Sequence, residues 1–257
     1  MNSTSNKDQS EIIFGYHAAW AVLKDPDAPQ KVNKIFLQKG LHSEKIARII
    51  EAARSQHLVI QDAPKSKLDD MTQAGNHQGI VLTTTPFAYV DLFTLLKQLE
   101  KRHEAPFFLI LDNINDPHNF GSILRTADAV GVNGVIIPKR RAVGVTSIVA
   151  KTSTGAIERI PIVRVTNIVQ TIKTLQKQNI WVFGTDMNGT DYRRWNAQGA
   201  IALVIGNEGR GLSPLVKKQV DQILTIPMIG TVQSLNASVA TGILLYQAFT
   251  SRESKSL

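Results

Sequence analysis

Three short segments carry side chains that could do chemistry. The first, residues 112–125, reads DNINDPHNFGSILR. In it Asn119 could cap a helix or hold a hydroxyl. Arg125 adds a permanent positive charge, because a guanidinium stays protonated in proteins. The second, residues 206–211, reads GNEGRG, and its glycines permit tight turns and close approach of main chain to a ligand. Its spacing is G-x-x-G-x-G rather than the G-x-G-x-x-G of dinucleotide loops, and a buried Glu208 would repel phosphate. A cationic ligand without phosphate fits such a loop better. The third, residues 226–242, reads IPMIGTVQSLNASVATG. Here Ser234 is placed to cap the helix that follows, with Asn236 at its mouth. Ala237, Ser238, Ala240 and Gly242 are small enough to admit another element closely. Each segment taken singly also reads as ordinary structure: a capped helix with a solvent-facing arginine, a glycine-rich turn, a core helix.

The elements around these segments place them. Apolar runs predict strands over 107–112, 134–138, 161–165, 180–184, 200–206 and 222–227. Helical spacing predicts helices over 121–130, 146–152, 167–178 and 235–250, with Arg125 one turn into the first. The last is apolar nearly all round through Val239, Ile243, Leu244, Leu245 and Phe249, which predicts burial. Strands that are apolar throughout and separated by helices indicate a parallel sheet covered on both faces. In such sheets ligands bind in loops beyond the carboxyl ends of strands. All three segments fall in such loops.

The first 85 residues form a separate alternation, an α/β domain. Strands are expected over 32–38, 58–61 and 79–84, and helices over 43–57, with Ser43 as N-cap, and near 65–72. Pro86 and a polar stretch over 100–106 bracket a helix over 91–102, read as a linker helix. The expected domains are 1–85, a linker over 86–104, and 105–257.

Composition narrows the function. The chain has no cysteine, which excludes disulfides and thiol catalysis. Its six histidines show no HxH or HExxH spacing, so no metal site is expected. Apolar runs fall far short of the roughly 20 residues of a membrane span, and the polar N-terminus reads as a frayed tail rather than a secretory signal. A soluble, cytoplasmic protein is expected. The net charge is +8, of which residues 105–257 contribute +7 and residues 1–85 only +1. Pairs such as Arg140–Arg141 and Arg193–Arg194 suit a polyanionic partner, although a merely basic soluble protein would look the same.

In this order the three segments resemble the motifs of the SpoU-type RNA 2′-O-methyltransferases of the SPOUT superfamily. NFGSILRTADAVGV, VIGNEGRGLS and IPMIGTVQSLNASVATGILLYQ carry the likeness, which runs over 105–250. The first domain, with Phe14–Gly15 and NHQGI at 76–80, is similar to the family's substrate-binding domain. Taken together the two domains look most like the branch that methylates guanosine in bacterial 23S rRNA. The resemblance implies a deep trefoil knot, S-adenosylmethionine bound within it, a homodimer and an RNA substrate, rRNA first. It implies catalytic or substrate roles for Asn119, Arg125, Glu208, Ser234 and Asn236. It implies cofactor contacts from Gly184, Thr185, Gly206, Asn207, Gly209, Ile226, Met228, Ser234 and Leu235. The reaction would be attack of a ribose 2′-hydroxyl on the sulfonium methyl, with Arg125 orienting a phosphate and stabilising developing negative charge. A tRNA or another rRNA site is the alternative target, and a non-catalytic ribosome-assembly factor the alternative role.

Overall fold

The computed structural model describes residues 11–25, 28–84, 87–140, 142–231 and 234–253. Of the expected tail over 1–11, residues 1–10 lie outside the described residues, as do Pro86 and Arg141, while Glu11 opens a strand instead. The chain divides into two compact units, Met1–Tyr89 and Val90–Leu257.

The first unit contains β1 (Glu11–Phe14), α1 (Tyr16–Leu23), α2 (Ala28–Lys31), β2 (Val32–Gln38), α3 (Glu44–Ser55), β3 (Ile60–Ala63), α4 (Lys65–Thr72) and β4 (Ile80–Thr84). Its sheet has the order β1-β4-β2-β3, antiparallel at β1–β4 and β4–β2 and parallel at β2–β3. Ser43 caps α3, its Oγ accepting from the Ile46 N–H at 3.2 Å. Ile46, Ile49 and Ala53 then bury one face of that helix beside Ile35, Ile80 and Leu82. The sequence reading lacked β1, α1 and α2. Gly15 begins α1 without a side-chain cap, so no local start signal exists there.

The second unit contains α5 (Leu92–Lys101), β5 (Phe107–Leu111), α6 (Pro117–Ala129), β6 (Gly134–Pro138), α7 (Ser147–Thr152), β7 (Ile162–Val165), α8 (Ile168–Lys177), β8 (Trp181–Asp191), β9 (Ile201–Ile205), α9 (Pro214–Gln219), β10 (Gln222–Thr225) and α10 (Ala237–Glu253). Its six strands run in the order β10-β8-β9-β5-β6-β7, and every pairing is parallel. One face packs Phe108, Ile110, Val182 and Val204 against α5, α8 and α9. The alternate residues Phe107, Leu109 and Leu111 are equally buried. On their side Arg252, near the end of α10, lies 5.0 Å over the Phe107 ring and donates to the Gly199 carbonyl at 2.6 Å.

Two expectations change here. The helix read as a linker belongs to this second core: Leu92, Leu95 and Leu99 recur on one face and are buried in it, and Val90 bridges to Val163. An amphipathic helix stabilises a fold only by burying that face. Helix α10 is also less enclosed than its composition predicts, since Val239 and Tyr246 are 51% and 53% exposed. Its buried side is drawn from Ala237, Thr241, Leu244, Leu245 and Ala248.

Candidate active site

Because all six strands are parallel, their carboxyl ends share one edge of the sheet, and loops far apart in sequence meet there. After β5, Asp112 is buried, and its carboxylate accepts from the Ser213 N–H at 2.8 Å and from Asn113 Nδ2 at 2.7 Å. After β9, the loop 206–211 closes on itself: Asn207 and Gly211 exchange main-chain hydrogen bonds of 3.1 and 2.8 Å. Asn207 Nδ2 also donates to the Asn113 carbonyl at 3.1 Å, tying the two loops together. A Cβ on Gly206 would lie 2.3 Å from the Gly211 carbonyl carbon, so no side chain fits there.

Glu208 stands at the centre of a polar cluster. Its Oε1 accepts from Asn119 Nδ2 at 2.6 Å, Asn236 Nδ2 at 2.8 Å and the Ala237 N–H at 3.1 Å. Asn236 Nδ2 also donates to Asn119 Oδ1 at 3.0 Å. One residue from each of the three sequence segments is thereby joined. Among the described residues Glu208 Oε2 has no hydrogen-bond donor, which leaves an acceptor for a ligand. Glu208 is exposed rather than buried as expected, because it sits at the mouth of its loop and only Oε1 is turned into the cluster.

Beside this cluster lies a pocket of about 450 Å³. The expected residues Thr185, Gly206, Asn207, Glu208, Gly209, Ile226, Met228, Ser234 and Leu235 all line it. Gly184 does not. Its Cβ position faces Leu212, Val220 and Ile223, and strand alternation sends only the next residue, Thr185, to the pocket side. Ser234 is not the helix cap either. Helix α10 starts at Ala237, and Asn236 Oδ1 accepts from the Ser238 and Val239 N–H groups at 2.9 and 3.3 Å. At α6 the cap is Asp116, with Pro117 at the first helical position, so Asn119 is free of capping and turns to Glu208. The earlier start also puts Arg125 more than two turns into the helix, not one. It is exposed and does not line the pocket. Six residues after Asn119, it projects from a different side of α6.

The sequence reading missed Asp186, Met187, Arg210, Leu224 and Leu244 in the pocket wall. The first two belong to a bulge. Ile223 of β10 pairs with Gly184, but Leu224 pairs with Thr190, so residues 185–189 leave the ladder. Gly184 before it and Gly189 at its end were the one signal for it. Partial burial pushes the Asp186 carboxyl up, but Lys217 Nζ at 2.8 Å and the Asn188 N–H outweigh that and hold it below its ordinary value. Among the described residues no group of three His, Asp or Glu side chains could hold a metal ion, and no helix is long and apolar enough to cross a membrane.

Known proteins resemble this chain in both units. Residues 106–246 match the SpoU rRNA Methylase family, and residues 12–90 match the RNA 2′-O ribose methyltransferase substrate binding family. YacO of Bacillus subtilis, named as a TrmH family tRNA/rRNA methyltransferase, is 45% identical over 95% of this chain and 97% of its own length. Among solved structures, the AdoMet-bound rRNA methyltransferase of Sinorhizobium meliloti aligns over 97% of this chain and 88% of its own, with TM-score 0.56 at 23% identity. The TrmH/SpoU tRNA modifying enzyme of A. aeolicus aligns over 63% of this chain and 86% of its own, with TM-score 0.55 at 31% identity. Matched in both units and along nearly its whole length, the chain belongs to the SpoU family of RNA methyltransferases.

Proposed function

We propose that this protein methylates a ribose 2′-hydroxyl of RNA with S-adenosylmethionine as methyl donor, and that its target is a guanosine of 23S rRNA. The observation that carries the reaction is the Asn119–Glu208–Asn236 cluster at the wall of the pocket. The residues present fit the cofactor. The pocket volume of about 450 Å³ lies within the usual range of small-molecule sites, about 300–1,000 Å³. Ile205, Leu224 and Leu244 give it an apolar wall, and Asp186 and Glu208 place two carboxylates in it against Arg210, so a cationic ligand meets acceptors there although Lys217 outside the wall pairs with Asp186. Bound S-adenosylmethionine supplies a methyl group on an electrophilic sulfonium. Thr185, Gly206, Asn207, Gly209, Ile226, Met228, Ser234 and Leu235 would hold it.

The protein's own part is positioning and charge. Asn119 and Asn236 fix Glu208 through Oε1 and leave Oε2 to accept a hydrogen bond from the ribose hydroxyl. Arg125 grips a neighbouring phosphate and stabilises the charge that develops on the attacking oxygen. Because Arg125 does not line the pocket of its own chain, it acts at a site completed in a homodimer. Val239 and Tyr246, seven residues apart on one side of α10, are the exposed apolar groups that a second copy would cover. The trefoil knot implied by the family is part of the same reading, supported by the way residues 185–187, 205–211, 224–226, 228, 234–235 and 237 line one cavity.

The rRNA assignment draws its support from the first unit. The S. meliloti rRNA enzyme matches 97% of the chain, whereas the A. aeolicus tRNA enzyme matches 63%. The test is transfer from radiolabelled cofactor to purified 23S rRNA and tRNA, with the modified nucleoside mapped. Label in a 2′-O-methylguanosine of 23S rRNA is expected. Label confined to tRNA overturns the target, and no transfer to either overturns the reaction.

A further inference from the structure

The carboxyl edge that carries the pocket also carries a group of cations at its other end, which the chemistry above does not use. Lys139 and Arg140 directly follow β6, and Arg164 lies in β7 next to its end. Ile137 pairs with Arg164, and the Lys139 N–H donates to the Val165 carbonyl at 2.8 Å, so the two basic stretches run side by side. Burial pushes the Lys139 ammonium below its ordinary value, and the nearby Arg164 guanidinium lowers it further. Both residues also take part in interactions within the protein. Arg140 adds a third, exposed charge. The pocket end differs: Asp186 and Glu208 are there with Arg210 and Lys217, close to neutral in sum. Positive potential is thus concentrated at the β6–β7 end, where it attracts polyanions.

The two ends are linked by a row of loops. The Val143 N–H, in the loop after β6, donates to the Ile114 carbonyl at 3.0 Å. Asn113, next to Ile114, accepts from Asn207 of the pocket loop. Strand β6 lies two places from β9 in the sheet, which at the usual strand spacing is about 10 Å along the edge. The nucleotides flanking a target can span such a gap.

We propose that Lys139, Arg140 and Arg164 form a seat for backbone phosphates of the RNA beside the ribose that is methylated. The proposal rests on the RNA-methylation reading above. Phosphate contacts set position and register without reading sequence, so the seat would align the substrate while selection occurs elsewhere.

The test uses the full-length protein and a 23S rRNA fragment, with binding measured over a range of salt concentrations. The variant Lys139→Gln/Arg140→Gln/Arg164→Gln should bind RNA about tenfold more weakly at low salt. Its salt dependence should be shallower by about 2 in slope, at roughly 0.7 per phosphate contact on a single strand. Cofactor affinity, read by calorimetry, should stay at the wild-type value. Arg140→Glu alone covers the case in which the triple variant does not fold. Its position is exposed, and it should weaken RNA binding with an unchanged thermal melt. Wild-type affinity and slope in the variant that folds would overturn the seat. Methyl transfer by the wild type to the same fragment is measured alongside. Transfer together with undiminished binding by the variants overturns the seat alone. Weakened variant binding without any wild-type transfer overturns the methylation reading and leaves the seat standing as an RNA site.

Discussion

The two units use sheets for different purposes. In the first unit the strands run both ways, so loops leave from both ends and no single edge gathers them; a buried polar group there is held by neighbours in sequence. His77 is the example. It is buried, its Nδ1 accepts from the Gly79 N–H at 2.9 Å, and its Nε2 therefore carries the proton and donates to Asp69, eight residues away, at 3.0 Å. In the second unit every strand runs the same way, and contacts at the shared edge join residues 89, 94 and 117 positions apart. A parallel sheet collects distant side chains into one small volume, which reaction chemistry requires. A mixed sheet offers a shaped surface, which suffices for holding a large partner.

That contrast can be broken most sharply at Arg125. Arg125→Ala should lower single-turnover methyl transfer by about 10²–10³, the usual cost of losing one donor aimed at developing charge. Its cofactor affinity should stay close to the wild-type value. Arg125→Lys should recover little, because an ammonium lacks the planar fork that can hold two oxygens at once. An alanine variant with most of its activity would remove Arg125 from the site and shift the burden to Glu208.

A smaller effect separates the units themselves. Gly206→Ala puts a methyl group 2.3 Å from the Gly211 main chain. The loop must move, at about 1–3 kcal/mol for such overpacking, and cofactor binding measured by calorimetry should weaken at least about tenfold. His77→Ala in the other unit orphans the Gly79 N–H, at a similar cost of about 1–3 kcal/mol. It should weaken RNA binding and leave cofactor affinity unchanged. Equal effects of both variants on the cofactor would show that the units do not divide the work.

The smallest effect is a surface one near the pocket bulge. The Arg193 guanidinium beside Asp191 holds that carboxyl down to about 2, from an ordinary value of 3.8. A carboxyl depressed in the folded state stabilises fully above its ordinary value and loses that contribution as the pH falls through about 2. Asp191→Asn should therefore melt slightly below wild type near neutral pH, with the gap closing on acidification. Arg193 is exposed and Asp191 only partly buried, so solvent screens the pair and the gap is small. A gap that persists at the acid end would assign it to packing instead of charge.

Much of the fold is written in local signals. Ser43, Asp91, Thr146 and Asn167 each cap the helix whose start the sequence indicated, because a cap acts over three residues. The six apolar strands predicted a covered parallel sheet, since only burial on both faces tolerates such runs. The three motif segments stood out by their order along the chain and their likeness to a family, since each taken singly also reads as ordinary structure. Other features have no local mark. Nothing near Leu92 says which core its face enters, and nothing at Gly184 says that it faces inward while Thr185 faces the pocket.

The sequence by itself therefore determined where most elements begin, that the second sheet is parallel, and which three loops lie beyond its strand ends. Only the tertiary structure decided that Asn119, Glu208 and Asn236 share one cluster, that Asn236 rather than Ser234 caps α10, and that Asp186 enters the pocket through a bulge. The reason is range. Caps, alternation and helical spacing act within a few residues, whereas the meeting of residues about a hundred positions apart depends on strand order and register, which the whole chain settles together.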